Sequence, residues 1–184
     1  MISGDNITMK VVEALDKCAI PYFLAGAFSS NQYGIPRATK DADFVLQVKS
    51  GVGANFVMAL GEPFKLDPQL SFETITGTYR QIVTCPGSPF KVELFFLSND
   101  PHDQERFLRR RQVQLLGRTV WFPSAEDVII TKLRWSRTRD KDDIRGIMAV
   151  QVSSLDWNYI ADWCTRHGTL SLMQEIRKTV PALG

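Results

Sequence analysis

The chain reads as an α/β fold: a mixed, twisted sheet flanked by helices over residues 1–123, followed by a C-terminal helical layer over residues 124–184. Three observations predict it. Short strand-like apolar runs crowd the first two thirds of the chain, and the last third carries apolar residues at helical spacing. The change falls at Ser124, whose hydroxyl suits a helix cap because Asp127, an acid, follows three residues later. A length of 184 residues suits one compact unit with a helical appendage.

In chain order, Val11, Val12, Leu15 and Cys18 predict a helix over 6–18, and Pro21 ends it before a strand at 22–24. Gly26 turns the chain into a helix over 28–33, which Gly34 and Pro36 break. A strand follows at 42–48 and a short helix up to Leu60. Gly61, Pro63, Asp67 and Pro68 mark a loop, and strands are expected at 72–74, 79–84 and 91–97. A polar helix over 103–111 precedes a strand pair, 113–116 and 119–122, around Gly117 and Arg118. The expected final helices cover 125–136, 141–152, 157–166 and 170–179.

Composition excludes several classes. Hydrophobic residues make up 44% and charged residues 23%, ordinary values that argue against disorder, and no apolar run nears the roughly 20 residues of a spanning helix. The first sixteen residues lack the basic-then-apolar pattern of a signal peptide, so a cytoplasmic protein with no membrane partner is expected. Cys18, Cys85 and Cys164 lack metal-type spacing and are expected as reduced, partly buried thiols. A net charge of +2 is too small to imply nucleic-acid binding, although Arg106, Arg109, Arg110, Arg111 and Arg118 cluster mid-chain. That cluster fits either an RNA contact or a solvated helix end followed by a strand.

Three acids carry the chemistry. In Asp41-Ala42-Asp43-Phe44 the two carboxylates project from one face of a strand about 7 Å apart, where a divalent cation would offset their repulsion. Glu93 interrupts the apolar run 91–96 and faces either water or a shared polar site. If the two strands are neighbours, three hard oxygen donors converge, a set that suits Mg²⁺ shared with phosphates. The plainer alternative leaves the acids at an exposed strand end, paired with Lys40 and Arg37. Gly26 joins a strand to a helix whose free N–H groups suit a phosphate, though such a glycine also serves as a simple turn. Lys132 falls on the apolar face formed by Ala125, Val128, Ile129 and Leu133, so it either snorkels past the core or reaches the site. Trp135, Trp157 and Trp163 suit the core or a partner surface.

Taken in order, Ala25-Gly26-Ala27, a helix, Asp41-Ala42-Asp43-Phe44 and later Glu93 resemble the signature of polymerase-beta-type nucleotidyltransferases. The block 34–43, with Arg37, Thr39 and the aspartate pair, resembles the abortive-infection AbiEii-type members, as do 126–133 and 139–144. Together these patches reach from about residue 22 to residue 145.

The resemblance implies a minimal nucleotidyltransferase core and a magnesium-dependent transfer of NMP from an NTP to a hydroxyl acceptor, Mn²⁺ being an alternative ion. It assigns catalysis and metal binding to Asp41, Asp43 and Glu93. Nucleotide contacts fall to Gly26, Ala27, Ser29, Ser30, Arg37, Thr39, Lys132, Arg139 and Lys141, with Asp142 orienting Arg139 or Lys141. The implied acceptors are an RNA 3′ end, a protein hydroxyl or a small molecule, and toxin-like members imply a cognate antitoxin. Ala27 departs from the Gly or Ser usual at that place, which keeps open a non-catalytic module that binds nucleotide or docks a partner.

Overall fold

The computed structural model describes residues 2–75 and 77–181. Helix α1 (Gly4–Lys17) leads into β1 (Tyr22–Leu24), α2 (Gly26–Tyr33), β2 (Asp41–Leu46), α3 (Ala54–Leu60), β3 (Lys65–Leu66), β4 (Ser71–Glu73), β5 (Thr78–Thr84) and β6 (Lys91–Phe96). Then come α4 (Pro101–Leu108), the hairpin β7 (Arg111–Leu115) and β8 (Arg118–Phe122), and helices α5 (Ala125–Trp135), α6 (Thr138–Val150), α7 (Trp157–Arg166) and α8 (Leu170–Lys178). The main sheet is mixed, in the order β1-β2-β6-β5-β3, with β4 also on β5. Strand β2 runs parallel to β6, and β1 and β5 are antiparallel to their neighbours.

Alternation along the strands divides the sheet. Ala42, Phe44 and Leu46 of β2 and Val92 and Leu94 of β6 join Ile7, Val11 and Leu15 of α1 and Phe56 and Leu60 of α3 in one buried core. On the other face Val45 packs with Phe23 and with Phe107 of α4. The same face carries Asp41 and Asp43, which that small cluster leaves uncovered. A separate apolar core joins the last four helices through Ile129, Leu133, Ile144, Ile147, Ile160, Trp163 and Ile176.

Side-chain hydrogen bonds fix the approach of those helices. Ser124 Oγ accepts from the Asp127 amide (3.2 Å), which gives α5 the expected start. The buried Asp127 carboxylate then accepts from Ser124 Oγ (2.7 Å), Tyr159 Oη (2.7 Å) and Arg109 Nε (3.3 Å), and lies 3.1 Å from His102 Nε2. Burial pushes Asp127 upward in pKa, but its partners His102, Ser124 and Tyr159 hold it below the ordinary carboxylate range. At Gly34 a Cβ would lie 2.8 Å from the Ile147 amide nitrogen, so the absence of a side chain lets α2 and α6 meet.

Some boundaries differ from expectation. Residues 65–66 form a short edge strand inside the expected loop, because backbone pairing with β5 needs no alternating pattern. Helix α6 starts three residues early, since Asp140 Oδ2 accepts from the Arg137 amide and stabilises the first turn. Helix α4 ends at Leu108, so Arg111 opens a strand.

Candidate active site

The parallel pairing of β2 with β6 sets Asp41 beside Lys91 and Asp43 beside Glu93. A cavity of about 270 Å³ opens over them, lined by Gly26, Ala27, Ser29, Arg37, Asp41, Asp43 and Glu93 from the sheet side. From the helical side it is lined by Thr131, Lys132, Trp135, Arg137, Arg139 and Asp140. Among the described residues no three acids, histidines or cysteines are already drawn together as a metal cage; the carboxylates share a wall without closing on a point.

The turn into α2 is shaped to Asp43. The Ala25 amide donates to the Asp43 carbonyl (2.7 Å), and Gly26 adopts φ +56°. A Cβ there would lie 1.8 Å from Asp43 Oδ2, so only glycine satisfies both the left-handed backbone and the contact. Thr39 Oγ1 donates to Asp41 Oδ1 (2.7 Å) and so orients the first acid. Asp43 is pushed up to about 7 by its desolvation and by the charges of Asp41 and Glu93, against the pull of Lys132 and Arg137. Asp43 is half-buried and lines the cavity.

The opposite wall is an ion-pair relay. Asp143 accepts from Arg37 through both oxygens (2.7 and 2.9 Å) and lies 2.7 Å from Lys132 Nζ. Lys132 also donates to Asp140 (3.2 Å), which Arg137 grips at 2.7 and 3.2 Å. Burial alone would raise both acids, yet the hydrogen bonds from Arg37 and Lys132 to Asp143, and from Arg137 and Lys132 to Asp140, hold them below the carboxylate range. Three cations thus share two anions, leaving net positive charge facing Asp41 and Asp43. Lys132 is buried and lines the cavity, its ammonium resting on Asp140 and Asp143 and not in solvent.

Of the expected residues, Ser30, Thr39 and Lys141 do not line the cavity. Ser29 and Ser30 Oγ donate to the Gly26 carbonyl (2.9 and 3.0 Å), spending their hydroxyls on their own helix. Arg139 lines the rim, and Asp142 pairs with Arg145, not with Arg139 or Lys141. Four of the five mid-chain arginines have partners within the protein, while Arg111 is exposed at the start of β7. Arg106 meets Asp103 and Thr131, Arg109 meets Asp127 and the Tyr159 ring, Arg110 covers Phe107 and Trp121, and Arg118 pairs with Glu13.

The sequence reading assigned no site role to Arg80, which pairs with Glu93, to Arg137, or, within the block 139–144, to Asp140 and Asp143. The i,i+3 spacing of Arg137 and Asp140 was a usable signal. Nothing local marks Arg80.

No known family profile and no curated protein sequence matches the chain. Solved structures do. The solution structure of the antibiotic-resistance factor ANT(2″)-Ia superposes with a TM-score of 0.60 at 12% identity, over 93% of this chain and 96% of that one. Its crystal structure in complex with adenylyl-2″-tobramycin gives 0.57 at 11%, over 90% and 97%. An antigenic nucleotidyltransferase-like protein from Paracoccidioides brasiliensis gives 0.50 at 20%, over 97% of each chain. Across nearly its whole length, the chain has the nucleotidyltransferase fold.

Proposed function

We propose that this protein is a nucleotidyltransferase that moves an NMP from an NTP to a hydroxyl acceptor and releases pyrophosphate, using Mg²⁺ or, in its place, Mn²⁺. The observation that carries the reading is the pairing of Asp43 with Glu93 on adjacent parallel strands, under a glycine turn that leaves no room for a side chain. Asp41, Asp43 and Glu93 would hold the metal: they are hard oxygen donors, and Asp43 is a crowded acid with no side-chain cation bonded to it among the described residues. Bound there, the ion would screen phosphate charge during an in-line displacement.

In this reading residues 1–123 supply the acids and the phosphate turn, and residues 124–184 supply Lys132, Arg137 and Arg139 to neutralise the triphosphate; residues 182–184 lie outside the described part. The relay through Asp140 and Asp143 holds Lys132 in place, so its charge is positioned before substrate arrives. The acceptor oxygen bonds to the α-phosphorus while the bond to the bridging oxygen breaks. Its electron pair leaves with pyrophosphate, and Glu93 takes the hydroxyl proton. The cytoplasm, which holds NTPs and Mg²⁺, is the proposed location; among the described residues no helix is long and apolar enough to cross a membrane.

A small hydroxyl compound is the favoured acceptor. Of the arginines that would have met RNA phosphates, Arg106, Arg109 and Arg110 are engaged with Asp103, Asp127 and aromatic rings, which leaves only Arg111 and Arg118 exposed among these five, Arg118 on Glu13; the ANT(2″)-Ia crystal structure holds an adenylylated small molecule. A toxin-like role with an RNA or protein acceptor and a cognate antitoxin is the competing branch, read out by salt-sensitive RNA binding or by labelling of a protein. A second reading, a module that binds nucleotide without transferring it, draws on Ala27 and on the Arg80–Glu93 ion pair.

Calorimetric titration of ATP, GTP, CTP and UTP with Mg²⁺ separates these readings. Metal-dependent binding by the wild type, lost in Asp41→Asn/Asp43→Asn, is the expected result. Binding that ignores both substitutions would sink the assignment, and binding with no transfer to any acceptor class would favour the module.

A further inference from the structure

Glu93 already holds a cation, and it comes from the chain itself. Arg80 lies on β5 opposite Phe95, two residues along β6 from Glu93 and on the same face, and its Nη1 sits 2.5 Å from Glu93 Oε2. Asp41 and Asp43 have no such partner among the described residues: Asp41 accepts from Thr39, and Arg37, Lys132 and Arg137 across the cavity are taken by Asp140 and Asp143. The acids therefore fall into an open pair and a neutralised third member. We propose that Arg80 is an internal counter-cation that competes with a divalent ion for Glu93, so that Glu93 joins Asp41 and Asp43 only once Arg80 is displaced. This rests on the metal-binding reading above.

Three features make Arg80 displaceable. The pair is partly exposed, Arg80 at 34% and Glu93 at 21%, so solvent screens its attraction. The guanidinium is incompletely satisfied among the described residues: Nε is buried without a hydrogen-bond partner, and the Phe95 ring lies 5.8 Å from the guanidinium carbon. Arg80 also lines the cavity, so a guanidinium displaced from Glu93 would have open space beside the site. The alternative cause of the pairing is simple relief of repulsion among three acids, a need that a divalent ion would meet better. In either case a +1 side chain stands where a bound ion would draw on the same oxygen.

The test is a Mn²⁺ titration, followed by the paramagnetic resonance signal of free Mn²⁺, on wild type, Arg80→Gln, Glu93→Gln and the double variant. Removing the competitor should tighten Mn²⁺ binding roughly two- to five-fold, the range a partly exposed ion pair can withhold. In the Glu93→Gln background the same change at Arg80 should have no effect, since the two groups act as one unit. Equal or weaker binding by Arg80→Gln overturns the proposal, and so does a gain that persists without Glu93, which would reveal general electrostatics. If the wild type binds Mn²⁺ through Asp41 and Asp43 and Arg80→Gln shows no gain, the metal reading stands and the competition falls. Absence of Mn²⁺ binding in all four proteins, with and without NTP, sinks both.

Discussion

Gly26 and Asp43 are packed so closely that a single methyl group on the glycine would fall 1.8 Å from Asp43 Oδ2. The contact couples the proposed phosphate turn to the proposed metal acid, so neither can shift alone. Replacing Gly26 by Ala should therefore act twice. The left-handed backbone costs about 1–2 kcal/mol, and Asp43 must rotate away from its present position. Chemical denaturation should show the stability loss, and calorimetry should show Mg²⁺-dependent NTP binding weakened by more than tenfold. Unaltered NTP affinity in a folded Gly26→Ala protein would mean that the turn is not part of the site.

The raised Asp43 carboxyl has a sign that can be checked. Its folded value of about 7 lies above the ordinary 3.8, so the folded state holds the proton more tightly. The metal-free protein should lose stability as pH rises from about 4 through 7, a penalty fully present above pH 7. Asp43→Asn removes that penalty. Without metal it should melt higher than wild type at pH 8, by on the order of 1 kcal/mol, with the gap closing toward pH 5. It should also nearly abolish transfer; comparable turnover would remove Asp43 from the mechanism.

Asp143 bonds Arg37 and Lys132 together, joining the loop before β2 to α5 through a carboxylate on α6. Truncation to Ala leaves the buried Lys132 on Asp140 alone and Arg37 without its carboxylate, and should destabilise the protein by about 1–3 kcal/mol in urea titrations. Lys132→Met should cost less stability, because Arg37 and Arg137 remain on Asp143 and Asp140 while the methionine fills the space. It should cost NTP affinity instead. A Lys132→Met protein with full affinity would make the relay purely structural.

Asp127 contributes to the acid limit, together with Asp140 and Asp143. Its carboxyl is held below 3.8, so the stability it contributes is present above that value and fades as pH falls through the lower folded value. Asp127→Asn should lose about 2–4 kcal/mol at neutral pH, because His102, Tyr159 and Arg109 keep only a weak acceptor. The variant should also flatten the acid arm of a circular-dichroism unfolding curve. An unchanged acid arm would place the acid sensitivity elsewhere.

Much of the fold could be read in advance because its signals are local. Pro21, the Gly34–Pro36 break and the Ser124 cap each act within a few residues, and the spacing of Val11, Val12 and Leu15 needs only one helix face. Lys65–Leu66 was missed as a strand because two residues carry no period, and only β5 makes them one. The start of α6 was placed late because Arg137 and Asp140 contribute through an end-capping contact, which apolar spacing does not register.

The chain by itself determined the alternation that puts Asp41 and Asp43 on one face, the glycine ahead of them, and an acid in a later strand. Those are matters of backbone period and local sterics, fixed within about six residues. Tertiary structure alone decided that β6 lies parallel to β2 with Glu93 level with Asp43, that Arg80 from a third strand meets Glu93, and that Asp143 joins Arg37 to Lys132. Ion pairs between residues 13, 11 and 106 positions apart depend on which strands and helices become neighbours. That choice is made by the burial of whole apolar faces, not by any single side chain.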